Sequence, residues 1–329
     1  MVEFVFATCA PGIEPLLKLD VARLRPELRF AYSRPGLVTF KSERTVTPED
    51  APASAFARVW GRSIGAARDP DDAAHQLALV GAERVQVFSR GDGEAELAPW
   101  QDAVTARLGV PAGLAQRGEL VADVVVAPGE PAWLGLHRAD VHHLMWPGGA
   151  IAVDVPADAP SRAYGKLEEA IAWAELPIAR GDVAVELGAA PGGALYALAR
   201  RGVEAWGVDP GELAPVVAAL PNVHHLRVKI GALRWEDLPA RVDWLLVDVN
   251  LAPQVALHET LRFAPRLRDT LRGAVITLKM NEPAFVRELP ALAARIAELG
   301  LPDVRMRHLP SNRREICAVA VRAPRSDRG

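Results

Sequence analysis

The residues with chemical potential cluster in the second half of the chain. A turn reading Glu186-Leu187-Gly188-Ala189-Ala190-Pro191-Gly192-Gly193 follows the apolar run DVAVEL and opens a helical pattern. Small residues let a backbone approach a ligand closely, and a helix start offers free N–H groups to an anionic group. Pro191 suits the first turn of that helix. The spacing G-x-x-x-G-G differs from the G-x-G-x-x-G of dinucleotide binders, which weighs against hydride transfer. Asp209 ends the next strand pattern, 23 residues after Glu186. An acid there is placed to accept hydrogen bonds from ribose hydroxyls. The ordinary alternative is a tight strand-to-helix turn with Asp209 capping the next helix.

Two further charges close apolar runs: Asp248 ends WLLVD and Lys279 ends VITLK. Ligands of open α/β sheets bind outside the carboxyl ends of the strands, where a buried sheet opens into a crevice. Glu315 begins EICAVAV; in a strand antiparallel to the others, it lies at the same sheet edge. Lys166 stands on the helix pattern before the first strand. Each also has a plain structural reading. Asp248 would cap a turn, Lys279 would snorkel at an edge, Glu315 would pair with Arg313 or Arg314, and Lys166 would pair with Glu169 one turn on.

The elements that must position these residues follow from periodicity. After Pro160 the chain alternates short apolar strands with amphipathic helices: helix 164–175, strand 182–187, helix 193–201, strand 204–209, a helix near 211–219, strand 242–248, helix 255–271, strand 273–279, helix 283–299, and strands near 303–308 and 314–322. This predicts an α/β fold with a mostly parallel, doubly wound sheet. The front half reads as a small α/β module, with strand 2–8, helix 12–24 and strand 37–41. A second set follows, with helix 71–80, strand 84–88, a helix near 100–108 and strands 121–127 and 133–137. The stretch WPGGAIAVDVPADAPS, with its prolines and paired glycines, reads as the join between the halves.

Composition narrows the class. The chain has 329 residues, enough for two or three domains, and is 50% hydrophobic, enough for a sizeable core. Cys9 and Cys317 lie in apolar runs without metal spacing, so buried reduced thiols and a cytoplasmic setting are expected. No basic-then-apolar leader and no apolar run of membrane-spanning length is visible. A net charge of −3 weighs against non-specific coating of nucleic acid. The tail still carries Arg305, Arg307, Arg313, Arg314, Arg322, Arg325 and Arg328 against Asp303, Glu315 and Asp327. The pairs His142-His143 and His224-His225 lack a carboxylate at ligand spacing, so no metal is expected. His137 and His143 are open to RNA or solvent, and Trp133 and Trp146 are expected to pack rather than stack on bases.

The runs SRAYGKLEEA, VELGAAPGG, LLVDVN, ITLKM and SNRREICAV together closely resemble FtsJ-like RNA 2′-O-ribose methyltransferases. The resemblance implies a Rossmann-like fold using S-adenosyl-L-methionine. Its Lys-Asp-Lys-Glu tetrad falls on Lys166, Asp248, Lys279 and Glu315. Its cofactor site falls on Glu186, Gly188, Ala189, Ala190, Pro191, Gly192, Gly193, Asp209 and Asp248. In the front half, APGIE, ARVWGR, HHLMWPGG and DVPADAPSR resemble the ribosomal RNA large-subunit methyltransferase M family. That implies a small module at 1–50, a THUMP-like RNA-binding domain at 51–155, a catalytic domain at 156–329 and a cytidine of 23S rRNA as substrate. Two positions depart from the pattern. Ala194 stands where relatives carry an aromatic, and Lys229 or Ile230 stands where an acid contacts the adenine.

The implied reaction is an in-line displacement at a sulfonium methyl by a ribose hydroxyl. Lys279 would orient and deprotonate the hydroxyl. Burial and Lys166 would lower its pKa, while Asp248 and Glu315 act against that, so the net direction is not set by sequence. The competing readings are an RNA-binding protein whose methyltransferase fold lacks turnover, a small-molecule methyltransferase and a nicotinamide enzyme.

Overall fold

A computed structural model describes residues 2–52, 54–91, 95–280 and 282–322. The chain divides into two units, Met1–Ile151 and Ala152–Gly329. The division falls within the proline- and glycine-rich join. Arg325, Asp327 and Arg328 of the basic tail lie outside the described residues.

The first unit is built on one seven-stranded sheet. Its strands are β1 (Glu3–Thr8), β2 (Arg29–Arg34), β3 (Leu37–Ser42), β4 (Trp60–Ala67), β5 (Arg84–Ser89), β6 (Leu120–Ala127) and β7 (Glu130–Arg138). Their order is β2-β3-β1-β4-β7-β6-β5. All pairings are antiparallel except β5 with β6. The sheet runs without interruption across residue 50, because β1 pairs with β4. Helices α1 (Glu14–Leu24), α2 (Pro70–Leu77) and α3 (Ala98–Leu108) connect the strands. Helix α2 starts where Asp69 accepts the Asp72 N–H at 2.8 Å and Pro70 takes the first turn, a position without need of a donor. Its Ala73, Ala74 and Leu77 pack with Val104 of α3 on Val85, Val124 and Leu134 of the sheet.

The second unit holds β8 (Val183–Leu187), β9 (Glu204–Val208), β10 (Val223–Leu226), β11 (Trp244–Val247), β12 (Gly273–Lys279), β13 (Asp303–Arg307) and β14 (Glu315–Val321). Their order is β10-β9-β8-β11-β12-β14-β13. The pairings from β10 to β12 are parallel, and β14 is antiparallel to both β12 and β13. This is the expected mostly parallel sheet with an antiparallel strand near its end. The chain winds outward from β8 in one direction and from β11 in the other. The crevice between their carboxyl ends is therefore the topological switch point, where such sheets bind ligands. Helices α4 (Ala163–Ala174) and α5 (Gly193–Arg200) share a core with the sheet through Leu167, Leu195, Leu198, Trp244, Leu246 and Val319.

Three strands escape the periodicity reading. Strand β2 has Phe30 and Tyr32 two apart, but it is short, carries an arginine at each end and buries none of its residues. Strand β4 carries Gly61 and Gly65, with a register shift between Ser63 and Gly65. Strand β10 is only four residues long and half-buried throughout. The single helix expected over 255–271 is two, α7 (Pro253–Leu261) and α8 (Ala264–Leu267). Pro265 has no N–H for the Leu261 carbonyl, so the first helix stops before it. The remaining helices are α6 (Pro215–Ala218) and α9 (Phe285–Ala297).

Candidate active site

Four elements deliver one charged side chain each to the switch-point crevice. Lys166 comes from the first turns of α4, Asp248 follows the last residue of β11, Lys279 ends β12 and Glu315 begins β14. Lys279 and Glu315 are direct cross-strand partners, so antiparallel register alone places them side by side. The charges alternate around a ring. Lys166 Nζ lies 2.9 Å from Asp248 Oδ2 and 2.7 Å from Glu315 Oε1. Lys279 Nζ lies 2.8 Å from Glu315 Oε2 and 3.4 Å from Asp248 Oδ1. Each cation touches both anions. The side chains are only 8 to 25% exposed, and a charge so far out of water persists when paired on every side.

The ring settles the direction that sequence left open. Burial pulls Lys279 down, but its hydrogen bond to Glu315 and the charge of Asp248 outweigh that and hold it above the ordinary lysine range. Burial pushes Glu315 up, and the two lysines overcome it, so its carboxyl is held below the ordinary range. Lys279 is thus an ammonium in this arrangement.

The glycine turn lies against the same crevice. Gly188 is left-handed at φ 89°, and a Cβ there would stand 2.4 Å from the Asp248 carbonyl oxygen. Gly192 is also left-handed, at φ 106°, and caps α5. Because α5 starts at Gly193, Pro191 precedes the cap rather than occupying the first turn. A Cβ on Gly193 would meet Ser161 Oγ at 2.2 Å. Glu186 is buried beneath the turn with Oε2 unpartnered. Burial, then the nearby Asp248 charge, drives its carboxyl well above the usual range. A cavity of about 30 Å³ is lined by Lys166, Glu186, Asp248, Thr277, Asn312 and Cys317. Asp209 follows β9 and accepts the Gly211 N–H at 2.7 Å. It turns the chain locally and does not cap α6, which begins at Pro215. A tight backbone cradle, a buried orphan carboxyl oxygen and an acid past the second strand fit a cationic nucleoside cofactor. Lys229 is exposed and starts a short 3-10 turn, so no acid occupies that position.

Residues 159–286 match the FtsJ-like methyltransferase family. The chain is 32% identical to the ribosomal RNA large subunit methyltransferase M of Thauera aminoaromatica, over 53% of this chain and 49% of the relative. It is 32% identical to that of an Azoarcus species, over 62% and 57%. In these two the match spans about half of the relative's length. Against the methyltransferase M of Pseudomonas syringae pv. tomato it is 30% identical over 89% of this chain and 88% of the relative. The chain belongs to this methyltransferase M family.

The FtsJ-like unit brings together the four tetrad residues, and it places the glycine turn, Glu186 and Asp209 along the carboxyl ends of β8 and β9. Lys166 pairs with Asp248 and Glu315, and Glu315 pairs with the two lysines, where the plain readings offered Glu169, Arg313 and Arg314 as partners. Sequence reasoning missed Glu169 as a holding residue. Buried on α4, it accepts the Ser311 N–H at 2.9 Å and also the Ser311 hydroxyl. This ties the helix carrying Lys166 to the loop leading into Glu315. Asn312, whose Oδ1 accepts the Leu309 N–H at 2.9 Å, shapes the same loop. The 142-residue separation of Glu169 and Ser311 leaves no local signal.

Other expectations divide. Cys9 and Cys317 are buried free thiols, and burial pushes Cys317 up to about 12. His137 and His143 are buried rather than open to RNA or solvent. Among the described residues no group of three or more His, Cys, Asp or Glu could hold a metal ion. No described helix is long and apolar enough to cross a membrane.

Proposed function

We propose that this protein is an S-adenosylmethionine-dependent methyltransferase acting on a ribose 2′-hydroxyl of large-subunit ribosomal RNA, a cytidine of 23S rRNA. The ring of Lys166, Asp248, Lys279 and Glu315 beside the glycine turn carries this reading. S-adenosylmethionine supplies the activated methyl and its own leaving group. The protein's work is alignment and proton handling. Alignment alone is worth about 7–11 kcal/mol in such reactions. Glu186, Asp209 and the turn from Gly188 to Gly193 hold the cofactor.

Lys279 orients the hydroxyl and takes its proton. An ammonium cannot accept a proton, so Lys279 must first release the one it carries to solvent at the crevice, and its neutral amine then takes the hydroxyl's. Lys166 contacts both carboxylates. It is therefore placed to offset one of the two carboxylate charges when Lys279 gives its own up. A THUMP-like domain over residues 51–155, most of it within the first unit, presents the RNA, and action on ribosomal RNA implies a cytoplasmic protein. Ribose-methylation mapping of total RNA with and without this protein tests the assignment. Loss of one 23S cytidine modification is expected; an unchanged map overturns it.

A further inference from the structure

A second cleft lies in the first unit. Strand β2 is the sheet's edge and reads Arg29-Phe30-Ala31-Tyr32-Ser33-Arg34, with Tyr32 38% exposed. A register shift between Phe30 and Tyr32 has a specific effect. Phe30 pairs with Phe40, whereas Tyr32 pairs with Thr39. Successive residues of β3 face opposite ways, so the two aromatic rings of β2 do as well. Phe30 faces α1, where Lys18 covers it at 4.8 Å. Tyr32 faces the other side and meets Trp133 of β7.

The Tyr32 and Trp133 rings stack at 5.5 Å between centroids and 16° between planes. Yet β3, β1 and β4 separate their strands in the sheet. The sheet must therefore curl until its edge reaches back over β7. The curl encloses a cleft of about 470 Å³ between Tyr32, Trp133, Arg34, Arg90 and Glu130. That volume lies within the ~300–1,000 Å³ range of ligand sites. Trp133 Nε1 donates to Ser63 Oγ at 2.9 Å, which fixes the indole plane. The guanidinium of Arg34 lies 5.2 Å from the Tyr32 ring centroid.

Charge favours an anionic occupant. Among the described residues, Arg34 and Arg90 share one carboxylate, Glu130. Arg90 is 5% exposed while Arg34 is 53% exposed. The buried arginine neutralises the acid, and the outer one keeps its charge at the mouth. A rigid aromatic wall beside an exposed guanidinium is the chemistry that recognises an unpaired nucleotide. We infer that this cleft is a subsite for one single-stranded nucleotide of the RNA substrate, with the base against the Tyr32–Trp133 wall and the phosphate on Arg34. The inference rests on the proposed action on RNA.

Binding of a labelled single-stranded oligonucleotide of the target sequence to the full chain, followed by fluorescence anisotropy, tests it without requiring turnover. Tyr32→Ser is expected to weaken binding by roughly 5–100-fold, the range for loss of one stacked base. Tyr32→Phe, which keeps the ring, should stay within about twofold. Arg34→Gln should weaken binding and flatten its salt dependence. Thermal melting of each variant guards against a folding defect. Unchanged affinity in Tyr32→Ser, or equal loss in Tyr32→Phe, overturns the inference. So does equal competition by polyglutamate, which would indicate plain charge capture. If the wild type binds through Tyr32 yet transfers no methyl to ribosomal RNA, the proposed reaction fails and the subsite stands.

Discussion

Two clusters of buried charge, one in each unit, make an instructive pair. In the second unit two lysines and two carboxylates meet at 8 to 25% exposure around the switch-point crevice. In the first, His137 and Asp123 are both 0% exposed. His137 Nδ1 lies 2.6 Å from Asp123 Oδ2, and its Nε2 lies 2.9 Å from the Leu144 carbonyl oxygen. Both ring nitrogens face acceptors, so the pair must hold one proton more than a neutral imidazole and a carboxylate carry together. The ring opens to a crevice, where the proposed proton exchange with a substrate would take place. The pair is sealed and ties β6, β7 and the loop after β7 together. Exposure, more than charge, separates a group placed for chemistry from one placed for folding.

The largest expected effect breaks that comparison most sharply. Lys279→Ala should lower methyl transfer by about 10²–10⁴-fold, the usual weight of a proton-transfer group. Cofactor affinity by calorimetry should change little. A variant that turns over normally would remove Lys279 from the chemistry. His137→Ala should do the reverse. It leaves a buried carboxylate unpaired, which costs about 3–5 kcal/mol of stability in denaturant titration. Methyl transfer by the folded fraction should persist. A loss under about 1 kcal/mol would show that the pair is not structural.

A smaller effect sharpens the protonation argument. Burial acts to lower the His137 pKa, but Asp123 first, and Leu144 and Asp140 further, raise it above the ordinary value. A raised histidine contributes stability that is fully present below the unfolded pKa of about 6.5. That contribution is lost as pH rises through the higher folded value. Stability of the wild type should therefore fall as pH rises above the ordinary histidine range. In Asp123→Asn the amide can donate to Nδ1 while Nε2 still donates to Leu144, so no extra proton is needed and this slope should flatten. An unchanged slope in that variant would assign the titration to another group. The smallest effect tests the clamp between α4 and the β14 loop. Ser311→Ala should lower kcat by about three- to tenfold through misplacement of Lys166 against Glu315. Ser311→Thr should restore it; equal loss in both would point to packing instead.

How much of this was legible depends on whether neighbours or distant partners define a feature. Asp248 and Lys279 could be placed because each ends an apolar run, and strand direction does the rest. Glu315 needed one further step, the antiparallel sense of the last strand, which the structure supplies. Lys166 could not be placed by periodicity, since its helix position equally suits an exposed pair with Glu169. Only the likeness of the surrounding motif pointed inward. The curl that joins Tyr32 to Trp133, the Glu169–Ser311 clamp and the His137–Asp123 pair all depend on packing between segments that carry no mutual pattern. The fold of the second unit was readable because its strands are buried runs. Strand β2 was not, because a six-residue segment with an arginine at each end and no buried residue offers too short a run to stand out.

The chemical position of the transferred methyl tests the central claim most directly. Large-subunit ribosomal RNA is incubated with the full chain and methyl-labelled S-adenosylmethionine, digested to nucleosides and resolved by mass spectrometry. A ring that activates a ribose hydroxyl predicts label in a 2′-O-methylated nucleoside, with unlabelled bases. Label carried on a base ring, or RNA returned unlabelled by a protein that binds the cofactor, would contradict it.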